Sequence, residues 1–195
     1  FLAWAAAQRT RATNDKTIVT CDETRGNNWR GHCGAARVAV DLYLGDAVDL
    51  ARAVKVYRGW LGDRTQYTGF AFGDLSWQCD ATKPVGINPP CVKSGHDIGG
   101  AIPDDMRRGG SFRWPPAATD YPWEAMQGTI LEAELLSRAG YDSWAWSNRA
   151  VCRASDFLTA IGWPAVGDDT WQPFLLDPRC GTTRAGSSPA SAGKG

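Results

Sequence analysis

NNWRGHCGAARVAVDLYLGD, residues 27–46, opens on two amides, a tryptophan and a histidine, then becomes an amphipathic helix. Ala35, Val38 and Leu42, with Ala39 and Tyr43 beside them, recur at helical spacing from Gly31 to Leu44. Gly45-Asp46 breaks the run. Two amides at the mouth of a helix with a buried face cost free energy unless something polar is held there. Asparagine is a good N-cap, which accounts for one of the pair. The second, with Trp29 beside it, predicts the floor of a binding cleft. His32 lies four residues after Asn28, hence on the same face of the helix.

Outward from this stretch, the helical pattern comes in pairs. Val48, Ala51, Val54 and Leu61 predict a second helix over 47–61, closed by Gly62, so residues 31–61 form an antiparallel hairpin. A second hairpin follows from Ala125, Met126, Ile130, Ala133 and Leu136 (helix 121–139) and from Trp146, Ala150, Ala154, Phe157 and Ile161 (helix 144–161). Pro122 suits a first turn, and Asp120 or Thr119 is placed to cap it. A short helix over 1–9 precedes a polar connection, and residues 162–183 read as irregular.

Between the hairpins, residues 64–119 are rich in Gly, Pro, Asn and Asp, with a strand-like piece at Thr68–Phe72. That is too long for a passive connector, so it is expected to be a functional loop system or a set of cleft walls. Five helices in antiparallel hairpins predict an all-α fold. The specific expectation is an incomplete α/α toroid with long irregular loops forming one side of a cleft; an ordinary helical bundle is the alternative. Residues 1–183 are expected as one domain, with a small polar tail over 184–195.

Composition narrows the chemistry. The 195 residues are 43% hydrophobic and 22% charged, and the formal net charge is zero. No global field exists to attract nucleic acid or an anionic membrane, so neither is an expected partner. An anionic ligand has to be met by a local cluster of cations or amides. The apolar runs are too short to span a membrane. Six cysteines with no CxxC pair predict disulfides and a secreted or periplasmic protein, and the chain begins like a mature or excised piece. Cys79–Cys91, closing a Pro/Gly-rich loop, is the first expected pair; Cys152–Cys180 and Cys21–Cys33 follow by proximity. With two histidines, no ligand cluster asks for a metal, and no cofactor is expected.

Ten tryptophans are many for this length. Most belong in a core, but an exposed indole serves as a platform for a sugar ring. SGHDIGGAIPDDMRRGGSFRW, residues 94–114, gathers His96, Asp104, Asp105, Arg107, Arg108 and Trp114 among glycines, as in a loop that lines a cleft. Arginine forks onto carboxylates. ATDYPWEAMQG adds Tyr121, Trp123 and Gln127 at a helix start, where the dipole favours an anion. These groups suit β-elimination from a polyuronate. Amides or arginine neutralise the uronate carboxylate, His or Tyr acts as base, and Tyr protonates the leaving oxygen. Glycoside hydrolysis would need two opposed carboxylates, and Asp104/Asp105 or Asp168/Asp169 are only neighbours on a loop.

Four blocks resemble the alginate-lyase superfamily of polysaccharide lyases. NNW–GHCGAARVAVDLYLGD is similar to the family's NNH-type motif and its helix. GGAIPDDMRRG resembles DG-x-x-P-x-E-x-x-R-G. YPWEAMQGTILEAELLSRAGYDSWAW resembles the tyrosine-bearing helix and its successor, and FLTAIGWPAVGDDTWQPFLLDPRCGT the closing segment. Together they cover most of residues 27–183 in the family's order. The resemblance implies an α/α toroid that cleaves a 1,4-linked polyuronate, alginate or a glucuronan. It implies Asn28 as the carboxylate-neutralising residue with Asn27 beside it, Arg108 assisting, and Tyr121 as acid or as acid and base. Trp29 stands where the family carries its histidine, so His32, His96 or Tyr121 alone is left to be the base. Asn27, Trp29, Arg107, Trp114, Trp123 and Gln127 are the expected substrate contacts. A non-catalytic carbohydrate-binding module and an α/α glycoside hydrolase are the alternatives.

Overall fold

The computed structural model describes residues 2–13 and 15–185. Among them the chain is mostly helical: α1 Leu2–Thr10, α2 Ile18–Thr24, α3 Asn28–Leu44, α4 Ala47–Trp60, α5 Pro103–Met106, α6 Tyr121–Arg138, α7 Trp146–Ala160 and α8 Gln172–Cys180. A two-residue antiparallel ladder, β1 Val92–Lys93 with β2 His96–Asp97, is the one sheet among these residues. Of the expected tail, residues 186–195 lie outside the described residues.

α3 is the central helix. Gly45 adopts the left-handed conformation at its C-terminus (φ 66°), and the Asp46 carboxylate then accepts the Asp49 amide to start α4. This is the expected hairpin. α3 also lies along α6, and the pairing has a direction. Asn28 meets Glu124, Gly31 meets Gly128, and Arg30 and Gly34 meet Glu132. Contacts advance along both helices together, so the two run parallel. Gly31 and Gly128 permit it, because a Cβ on Gly128 would overlap the Gly31 backbone. Val38, Ala53, Tyr57, Trp60, Met126 and Ile130 fill the core around the pair.

Beneath the glycine contact lies a sealed charge network. Arg30 makes two hydrogen bonds to Glu132, at 2.6 and 3.1 Å, and pairs with Asp22 at 3.0 Å; all three side chains are fully buried. Arg37 continues the chain to Asp22, Glu23 and Asp49. Asp22 and Glu23 belong to α2, whose N-terminus is closed by reciprocal bonds of Thr17 and Thr20. α2 and α8 correct the expectation of irregular chain at those places. Thr68–Phe72 forms no strand; only Ala71 pairs, with Arg25.

Residues 61–120 are irregular but anchored. The buried Asn88 side chain donates to the Trp77 and Ile98 carbonyls and accepts the Cys79 amide. Gln78 and Val85 exchange two further bonds. Cys79–Cys91 closes this loop, Cys21–Cys33 ties α2 to α3, and Cys152–Cys180 ties α7 to α8, the three expected pairings. By loop-closure entropy each contributes roughly 3 kcal/mol.

Candidate active site

Because α3 and α6 run parallel, both N-termini open at the same end of the molecule. Each leaves unpaired amide groups and the positive end of a helix dipole there. Asn27 occupies the N-cap position of α3 but makes no side-chain cap bond, and its Oδ1 is buried without a partner. The cap comes from far away in sequence. The Asn28 backbone amide donates to Asp105 Oδ1 at 3.0 Å. Asp105 is fully buried in α5, its second oxygen has no partner, and burial pushes its carboxyl well above the usual carboxylate range. The neighbouring Asp104 charge adds to the rise.

The Asn28 side chain, itself buried, donates through Nδ2 to Glu124 Oε2 at 3.2 Å. Glu124 is one helical turn after Tyr121. The Tyr121 phenol oxygen accepts Arg108 Nη2 at 2.8 Å, and the guanidinium carbon lies 4.0 Å from the ring centroid. Arg108 is three residues after Asp105, which returns to Asn28. The five side chains and the two short stretches of backbone form a closed circuit. It unites Asn28, Arg108 and Tyr121 from the sequence-based set and adds Asp105 and Glu124. Glu124 was legible as a carboxylate at i+3 from Tyr121; Asp105 was legible only as half of an acidic pair.

The other expected residues are dispersed. Arg107 is bound to Asp104 Oδ1 at 2.7 Å, and the same oxygen accepts the Gly73 amide. Gln127 donates to Asp169 at 2.7 Å, as does Gln172, which locks α8 to α6. Trp123 is 5% exposed and donates its indole N–H to the Trp163 carbonyl, so it is a core residue with little face for a sugar. His32 is exposed on α3, one turn beyond Asn28.

His96 is not in the circuit. It stacks on Trp114, centroids 4.4 Å apart and planes 11° apart, at the edge of a cavity of about 510 Å³ beside α7. Trp29 turns away from Asn28 and lines a separate crevice with α1 and α2.

The circuit contains an amide N–H, a guanidinium, a phenol and two carboxyl groups. Asn28 Nδ2 has two hydrogens, and Glu124 takes one. Arg108 donates to the phenol oxygen, which stabilises negative charge developing there. These are groups chemically able to hold an anion and to exchange a proton. Among the described residues no group of three His, Cys, Asp or Glu is arranged to hold a metal. No family model, no curated protein and no solved structure matches the chain.

Proposed function

We propose that this chain is a polysaccharide lyase that cleaves a 1,4-linked polyuronate, alginate or a glucuronan, by β-elimination. The observation that carries this is the Asn28–Glu124, Tyr121–Arg108 and Asp105–Asn28 circuit at the shared mouth of two helices. Asn28 donates to the uronate carboxylate, reducing its charge and acidifying the proton on the adjacent carbon. A base removes that proton, the electron pair forms the new C=C bond, and the C4–O bond breaks. The leaving oxygen takes its proton from Tyr121, while Arg108 holds the phenol oxygen in place and stabilises the charge left on it. The base is Tyr121 itself or His32, one turn from Asn28; His96 stands apart, on Trp114.

The parallel pair α3 and α6 is read as two inner helices of an incomplete α/α toroid, with α4 and α7 as their returning partners. The hydrolase alternative is the weaker one. Asp104 is engaged by Arg107 and the Gly73 amide, and Asp169 is clamped between two glutamines. Both are thereby held in structural hydrogen bonds, which disfavours them as the acid and base of a hydrolase. Three disulfides fit an oxidising compartment, in keeping with secretion or the periplasm. Among the described residues no helix is long and apolar enough to cross a membrane.

The test is a panel of polyuronates followed by ultraviolet absorbance of unsaturated chain ends. Wild type is expected to generate that absorbance on at least one polymer, and Tyr121→Phe to lose it by roughly 10²–10⁴-fold. Binding without turnover, unchanged in Tyr121→Phe, would instead identify a carbohydrate-binding module.

A further inference from the structure

The crevice beside Trp29 has a charge pattern that the circuit leaves unused. It is about 220 Å³ in volume and lies between α1, the turn before α2, and the first turn of α3. Arg11 and Lys16 stand on its walls, the Cys21–Cys33 disulfide and Ile18 on its floor, and Trp29, 47% exposed, at its mouth. Arg25 reaches over the indole, its guanidinium carbon 5.8 Å from the ring centroid.

None of these three cations forms an ion pair among the described residues. Lys16 Nζ donates to the Thr24 hydroxyl at 3.3 Å, and Arg25 Nε is buried with no acceptor. The nearby acids of α2 are committed elsewhere: Asp22 to Arg30 and Arg37, Glu23 to Arg37 and Arg52. Asp15, next to Lys16 in sequence, makes no ion pair with it and does not line the crevice. In a chain of zero net charge this is a local excess of positive charge around an aromatic platform.

We infer that the Trp29 crevice is a subsite for one anionic sugar unit of the polymer whose neighbouring unit reacts at Asn28. This rests on the lyase proposal for the choice of polymer. Trp29 offers its indole to the C–H face of a pyranose ring. Arg11 and Lys16 flank the position for its acid group, and the Arg25 guanidinium beside the indole adds positive charge nearby. The volume suits a single ring. Consecutive helical residues project about 100° apart, so Trp29 and Asn28 do not face the same sugar ring. Trp29 then contributes as a platform at the place where the resembling family's histidine would stand.

The experiment measures binding and turnover separately, with oligomers of alginate and of glucuronan. Arg25→Gln, Arg11→Gln/Lys16→Gln and Trp29→Ala are compared with wild type, and thermal melts confirm folding. Each variant is expected to weaken oligouronate binding about three- to ten-fold, and the weakening in the arginine and lysine variants, but not in Trp29→Ala, to shrink as salt is raised. Each variant should raise KM for long oligomers more than for short ones.

Oligouronate binding and cleavage equal to wild type in all three variants would overturn the subsite and leave the lyase proposal standing. Loss of binding in the variants of a protein that never cleaves would support the subsite and defeat the lyase proposal. A wild type that binds neither oligomer would overturn both. Sulfated dextran is included so that a carboxylate preference, which is expected, is told apart from affinity for any sugar acid. Tighter binding of sulfated dextran, or of single-stranded nucleic acid, than of oligouronate would overturn the assignment.

Discussion

Two regions of the α3–α6 pair treat buried charge in opposite ways. In the enclosed region, Arg30, Glu132 and Asp22 are ion-paired with one another, although Arg30 Nε and Asp22 Oδ1 lack a hydrogen bond, and the Arg30 guanidinium also lies 5.0 Å from the Tyr57 ring centroid. At the N-terminal mouth, Asn27 Oδ1 and Asp105 Oδ2 are buried without partners, and the Arg108–Tyr121 pair faces outward. Pairing a buried charge mainly avoids a penalty, whereas an unpartnered polar atom at an open mouth is a standing cost. The difference separates a region of paired buried charge from one where a buried carboxyl has no cation beside it. Substitutions should therefore have opposite consequences at the two ends.

The largest expected effect is at the enclosed end. Glu132→Ala leaves Arg30 buried beside a single carboxylate that Arg37 also uses, at a cost of about 3–5 kcal/mol. Chemical denaturation should show a lowered midpoint with unchanged slope. At the mouth, Tyr121→Phe removes a hydroxyl whose one protein partner is the exposed Arg108, so the melting temperature should stay within about 1 °C of wild type while activity is lost.

A third substitution probes the outer edge of the enclosed network. Asp41 is pushed up to about 7, first by burial and then by the charge of Asp49. Its folded-state value lies above the unfolded one, near 3.9, so the folded protein holds more protons between about pH 4 and 7. Stability from this group is therefore present at low pH and is lost as pH rises through 7. Asp41→Asn keeps an acceptor for Arg9, so its advantage over wild type should grow from about pH 5 to pH 8, measured as a difference in melting temperature.

The smallest effect is expected at the mouth. Asp105→Asn retains an oxygen for the Asn28 amide and removes the need to bury an ionisable group, so at pH 8 it should stabilise by up to about 1 kcal/mol. No difference should remain at about pH 2, below the unfolded-state value, where the carboxyl is protonated in both states. A loss of stability at pH 8 would show that the mouth is built like the enclosed end.

How far each end could be read from sequence follows the same division. α3, α4, α6 and α7 carry their own periodicity and stop signals, and the three disulfides follow chain proximity. α2, IVTCDET, buries only Cys21 and Asp22, and its carboxylates find their partners on α3 and α4, so no local apolar stripe marks it. α8, QPFLLDPRC, holds Pro173 and Pro178, which read as interruptions. Prolines at its start and inside it are tolerated because α8 is tied to α7 by Cys152–Cys180 and to α6 by Gln172.

The circuit was legible in residue types and not in partners. Asn28 meets Asp105 across 77 residues and Glu124 across 96, and both contacts depend on the glycine-mediated approach of α3 and α6. Trp123 and Trp29 show the limit of residue type alone. Both are tryptophans beside candidate catalytic residues, yet helix phase sends one into the core and the other to the surface.

The central claim is that the mouth carries out elimination. Mass spectrometry of the products formed from a defined oligouronate tests it most directly. The account predicts that the new non-reducing end is one water lighter than a hydrolytic product, and that this species is absent with Tyr121→Phe. Products carrying the full mass of added water, formed equally by both proteins, would contradict it.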